Sequence, residues 1–176
     1  MKVVLGCDVD AALPDALSAP IARDVWHAVD EVRPLVERMG DTMPPVTWLI
    51  RSDESVRFAT GAYDSGYTTR AALWDRLRTA GHELGWHMHA WSHTSALGRF
   101  AFDPEPPWLG EAHAALARHA ELRSTRTGWD YGSTFLLNGL RELGIRVDFS
   151  AMPRQAVWQR VGNDVVLTDW RRSPAG

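Results

Sequence analysis

The run Val3-Val4-Leu5-Gly6-Cys7-Asp8-Val9-Asp10 is apolar where it begins and acidic where it ends. A strand buried on both faces reads as a near-continuous apolar run, so this segment predicts a buried strand that delivers carboxylates to one edge of a sheet. Residues two apart on an extended chain point to the same side, which sets Asp8 and Asp10 together. Downstream, short β-rich runs alternate with helical patterns, the arrangement that builds a mainly parallel sheet covered by helices. The fold class expected is α/β, with function gathered at the acidic edge.

The remaining elements follow from spacing and punctuation. Pro20 can open a helix in which Val25, Val29, Val32 and Val36 recur at helical spacing, with Gly40 as its stop and Pro34 as a kink or break. Val46–Arg51 reads as strand two and Ser52–Gly66 as a loop. Thr68 or Thr69 can cap a helix that buries Leu73, Trp74 and Leu77 and closes at Gly81. His82–His89 reads as strand three. Pro104, Pro106 and Pro107 make Phe100–Leu109 a loop, followed by a helix over Gly110–Leu122. Ser124–Gly128 is strand four, Ser133–Leu143 a helix stopped by Gly144, Ile145–Phe149 strand five and Val165–Trp170 strand six.

The 176 residues suit one domain, 1–176, with a sizeable core. Hydrophobic residues at 45 % and charged ones at 23 % disfavour a disordered or fibrous chain. A net charge of -3 without a basic run disfavours nucleic acid as a partner. No stretch has the roughly 18 apolar residues of a membrane span. Cys7 stands alone and excludes an intrachain disulfide, in keeping with a cytoplasmic setting. Tryptophan is abundant at nine residues. Of those near strand ends, Trp129 is the one expected to wall a substrate pocket.

Four of the seven histidines fall within His82–His93, in the run Gly81-His82-Glu83-Leu84-Gly85-Trp86-His87-Met88-His89-Ala90-Trp91-Ser92-His93. Alternation puts His87 and His89 on one face, opposite Leu84, Trp86 and Met88. On a continuous strand His93 would lie about 13 Å from His89, too far to share an ion. A turn at Ala90-Trp91-Ser92 would instead bring His89 and His93 together, a spacing that suits two imidazoles on one metal. Two candidate pairs therefore stand, and His89 belongs to both. His82 follows a helix stop and reads as structural.

The order Asp8-Val9-Asp10, Gly81-His82-Glu83-Leu84-Gly85, His89-Ala90-Trp91-Ser92-His93 and Arg126-Thr127-Gly128-Trp129-Asp130-Tyr131-Gly132 resembles the polysaccharide deacetylases of carbohydrate esterase family four. It looks most like their Asp-x-Asp branch, which includes peptidoglycan-deacetylase-like proteins and enzymes that open cyclic amides. The resemblance covers about the first 150 residues. It implies a deformed (β/α) barrel with its site at the carboxyl ends of the strands. It also implies that Asp10, His89 and His93 bind a divalent ion, zinc first among them, that Asp8 is the general base, and that Arg126 holds Asp8 by ion pairing. Asp148 falls where the family has another acidic residue, and would orient Arg126 or its neighbours.

Two departures shape the expectation. In the usual pattern the histidine shortly after Gly-His-Glu-x-Gly is itself the first ligand; here His87 holds that place, so His87 and His89 compete for the role. Family members also carry a histidine on a late strand, whereas none follows His119 here. The expected barrel is thus incomplete at its C-terminal end and truncated relative to the family, with uncovered strand edges that favour a homo-oligomer. The leading functional expectation is a metal-dependent hydrolase of carbon–nitrogen bonds, N-deacetylating an amino sugar or polysaccharide. The alternatives are a catalytically silent carbohydrate-binding or regulatory module, and an amidohydrolase of cyclic imides or ureides.

Overall fold

Five strands lie side by side in the order in which the chain makes them: β1 (Leu5–Val9), β2 (Val46–Arg51), β3 (Glu83–Met88), β6 (Ser124–Thr127) and β7 (Val147–Asp148). Every neighbouring pair is parallel. The computed structural model describes residues 5–14, 17–94, 99–128, 131–150, 156–161 and 164–169. Because the spatial order follows the chain without a reversal, the sheet curls in one sense into a half-barrel, compatible with a deformed barrel. Parallel neighbours need crossover connections. These are supplied by α1 (His27–Thr42), then α2 (Glu54–Thr60), α3 (Ser65–Thr69) and α4 (Ala71–Thr79), then α5 (Leu109–Leu116), and last α6 (Thr134–Glu142).

Alternation along the strands separates two faces. Trp48 and Ile50 of β2, with Leu84, Trp86 and Met88 of β3, pack outward against Val25, Val29, Leu73, Trp74, Leu77, Leu116 and Leu136 in one core. The buried indoles keep their N–H groups satisfied: Trp86 Nε1 donates to the Ser52 carbonyl at 2.7 Å and Trp74 Nε1 to that of Gly66 at 2.8 Å. Among the described residues the tryptophans largely belong to the core.

The opposite, concave face is layered. At its lower end the Glu83 carboxylate accepts from Ser124 Oγ at 2.6 Å and Thr47 Oγ1 at 3.3 Å. Above that, Leu49 is fully buried beside Gly85, where any Cβ would stand 2.7 Å from a Leu49 methyl. The uppermost layer, at the carboxyl ends, sets Arg51 beside His87 and His87 beside Arg126 in strand register. Polar chemistry is therefore raised to one rim by the hydrophobic layer beneath it.

Several expected boundaries are corrected. Pro34 lies inside an unbroken α1, on its exposed side, where the Asp30 carbonyl left without an amide partner can meet water. The helix also runs through Gly40, and Val32 of the expected buried stripe is 48 % exposed. Ser52–Gly66 is not a loop: Asp53 caps α2 by accepting from the Ser55 and Val56 amides, and Gly61 ends it at φ 85°. The expected Phe100–Leu109 loop starts inside β5 (Arg99–Phe102), which pairs antiparallel with β4 (Trp91–Thr94). The expected sixth strand is β9 (Asp164–Asp169), paired antiparallel with β8 (Ala156–Val161) rather than added to the parallel sheet. No helix among the described residues is long and apolar enough to cross a membrane.

Candidate metal centre

Where β1 ends, Asp10 leaves the sheet with its side chain 52 % exposed and its Oδ1 turned toward two imidazoles. His87 Nε2 lies 3.5 Å from that oxygen, His89 Nε2 lies 3.9 Å from it, and the two Nε2 atoms are 3.1 Å apart. Among the described residues these three form the group whose ligand atoms could hold a metal ion, all within 4.8 Å of one another. Two ligands each about 2.05 Å from a tetrahedral ion stand about 3.3 Å apart, so the three separations bracket what one small cation requires. The donor set fits.

The proton on His87 is placed by its surroundings. Its Nδ1 faces the Arg126 carbonyl at 3.0 Å, and a carbonyl only accepts, so Nδ1 carries a hydrogen and Nε2 is the nitrogen turned toward Asp10. This is the outer-shell contact typical of a metal-binding imidazole. Burial, and then the positive charge of Arg51, push the His89 pKa well below its ordinary value. A ring held neutral is ready to ligate without first losing a proton.

Arg126 also reaches across the concave face. Its Nη1 stands 3.3 Å from Asp8 Oδ2, with side-chain exposures of 37 % and 29 %. An ion pair this accessible contributes roughly 0.2–1 kcal/mol, so its consequence is orientation of the Asp8 carboxylate more than stability. Asp148 acts one step further back. Its Oδ1 accepts the Ser150 amide at 2.8 Å, and Ser150 Oγ accepts the Thr127 amide at 2.6 Å, which fixes the end of β6 next to Arg126.

His93 stands outside the three-residue group. The chain turns at His89-Ala90, where the Trp91 amide donates to the His89 carbonyl at 2.8 Å, and β4 then carries His93 away. Its ring stacks on Phe58 at 5.0 Å between centroids and meets Phe100 edge-on at 5.3 Å. Of the two pairs left open by the sequence, the structure brings together His87 and His89. Trp129 lies outside the described residues.

A comparison with family models, curated proteins and solved structures returns no match.

Two residues of this rim were missed in the sequence. Arg51 closes β2 and directs Nη1 to Asp10 Oδ1 at 3.5 Å while its Nε donates to Asp53 Oδ2 at 2.9 Å. Asp53 is fully buried. Burial acts to raise its pKa, yet the Arg51 charge and the hydrogen bonds from Ser55 and Arg51 hold it well below the usual carboxylate range. A legible signal did exist: Asp53 directly before Glu54, with Gly61 closing the same stretch, is a helix start and stop.

Proposed function

We propose that the chain is a metal-dependent hydrolase of carbon–nitrogen bonds that removes the acetyl group from an acetylated amino sugar or polysaccharide, as the family it resembles does. One observation carries this reading: Asp10, His87 and His89 converge on one point of the rim to which Arg126 also holds Asp8. Two imidazoles and one carboxylate leave a coordination position open, as catalytic zinc sites do, and zinc is the ion this set suits best. A divalent ion bound there would polarise the amide carbonyl and lower the pKa of water toward about 7.

The chain's own groups do the rest. Asp8 accepts the proton given up by the attacking water, and Arg126 keeps its carboxylate aimed. His87 keeps Nε2 turned inward because the Arg126 carbonyl fixes the opposite nitrogen. Cleavage gives acetate and a free amine. The partly buried thiol of Cys7, whose pKa is raised by burial and then by Asp8, takes no part. A cytoplasmic setting belongs to the same reading.

The test is acetate release from chitin oligosaccharides or a peptidoglycan fragment by the zinc-loaded chain. The Asp8→Asn variant should keep its metal and lose about 10²–10⁴-fold in rate. Turnover of cyclic imides in place of acetylated sugars would move the substrate class. Sugar binding without turnover across both panels would leave a silent module, and a chain that takes up no metal after refolding in zinc would end the proposal.

A further inference from the structure

We infer that Asp53, through Arg51, is a positioning residue that sets both kinds of ligand in the metal centre, the carboxylate from β1 and the imidazole beyond β3. The inference rests on the metal-binding reading above and adds to it two residues that act on its ligands.

The argument turns on the second oxygen of Asp53. Capping α2 occupies Oδ1, which accepts the Ser55 amide at 3.0 Å, the Val56 amide at 3.1 Å and the Ser55 hydroxyl. A serine or asparagine could cap equally well. Oδ2 faces the other way and accepts two donors of a different kind, the His89 backbone amide at 3.1 Å and Arg51 Nε at 2.9 Å. The first contact fixes the backbone of a proposed ligand. The second locks a guanidinium whose Nη2 is also held by Ser55 Oγ at 3.0 Å, leaving Nη1 to meet Asp10 Oδ1 at 3.5 Å.

Asp10 needs such a contact. It lies just past the last residue of β1, half exposed, whereas His87 is inside β3 and held by the strand itself. A buried carboxylate that accepts five hydrogen bonds is rigid, and the fork of arginine transmits that rigidity with a fixed geometry that lysine lacks. The same oxygen of Asp10 faces both imidazoles, so Arg51 aims the carboxylate at the place where the imidazole nitrogens already point. The Asp53 charge offsets that of Arg51 beside a centre meant for a cation.

The experiment reads cobalt(II) binding to the full chain by its visible absorption and by competition with a chelator, without any turnover. Asp53→Asn keeps a capping oxygen but turns an NH₂ toward Arg51 Nε and the His89 amide. It should weaken cobalt about 10–100-fold and change the absorption envelope. Arg51→Lys, which keeps the charge and loses the fork, should fall in the same direction. Leu77→Ala, a core change in α4, should lower thermal stability and leave affinity where it was. Wild-type binding with both variants within twofold of it would overturn the inference and leave the metal centre standing. Tighter binding by Arg51→Met would overturn it as well, because Arg51 would then be a competitor for Asp10. If Asp53→Asn does not fold, Arg51→Lys alone decides. A wild-type chain that binds no cobalt removes the metal reading, and the inference with it.

Discussion

Gly128 lies against the flat side of His89: a Cβ at that position would stand 2.5 Å from Nε2 and 2.8 Å from Cγ of the imidazole. Real Cβ atoms do not approach so closely, and the obstacle is the very ring whose Nε2 faces Asp10. The glycine is required by a neighbour's volume and not by a left-handed backbone. Gly128→Ala should therefore push the imidazole out of the cluster while the sheet stays folded. Overpacking of this kind costs roughly 1–3 kcal/mol, and displaced ligand geometry costs about 10–100-fold in metal affinity. Chelator competition together with thermal unfolding separates the two effects; unchanged affinity would mean that His89 does not ligate.

His87 and His93 should part company on mutation. His87→Ala removes a group whose Nε2 lies within 3.5 Å of both Asp10 Oδ1 and His89 Nε2, and stoichiometric metal should be lost. His93→Ala removes a ring stacked on Phe58 and met edge-on by Phe100, so the metal should remain while stability falls by about 0.5–1.5 kcal/mol. Metal content after dialysis, paired with a melting curve, checks each variant. The reverse pattern would restore the ligand set that the family resemblance implied.

How far the sequence carried varies by element. Strand β2 was readable to its last residue because Val46–Arg51 is apolar but for Thr47 and ends on a charge, and strand β3 because Leu84, Trp86 and Met88 alternate with Glu83, Gly85 and His87. That Asp10 would stand at the same edge as imidazoles of the third strand was readable as well, since strand ends of a parallel sheet share one edge. Which imidazoles meet was not, because that depends on where β3 stops. The expected turn over Ala90-Trp91-Ser92 would have returned His93 to His89, whereas the observed turn at His89-Ala90 starts β4 at Trp91, and such boundaries are set by tertiary contacts, here the Asp53 carboxylate accepting the His89 amide. For α2 the cap and the stop are written in Asp53 and Gly61, but the partners of the second Asp53 oxygen have no signature in the local pattern.

Acid should unfold the chain in two stages. His89 is held neutral, with its pKa well below the ordinary value of about 6.5 that it regains when unfolded, and burial lowers His113 as well. Between the folded and unfolded values the unfolded chain binds more protons, so stability is full above about pH 6.5 and declines as pH falls. Asp53, held well below the carboxylate range, adds a second decline below about pH 4, as Asp64 does through its contacts with His119 and Arg118. Melting temperatures recorded from pH 8 to 3 should show both limbs. His89→Gln should flatten the first and spare the second; a first limb of unchanged slope in that variant would place its origin elsewhere.

Pro34 tests how α1 is held. It sits in the eighth position of a 16-residue helix, where it removes the amide that would bond the Asp30 carbonyl. In a helix interior proline is about 3 kcal/mol less favourable than alanine. The helix persists because Val29 and Val36 are buried in the core on its inner side while Pro34 faces outward. Packing outweighs propensity here, so the cost is carried in the folded state and Pro34→Ala should recover part of it. Greater freedom of the unfolded alanine chain takes back about 0.4–1 kcal/mol, which leaves a gain near 2 kcal/mol. For a chain of this size that is a rise of about 4–8 °C in Tm, read by calorimetry, with metal affinity unmoved because α1 contributes no ligand. A fall in Tm would show instead that proline restrains the unfolded chain more than it strains the helix.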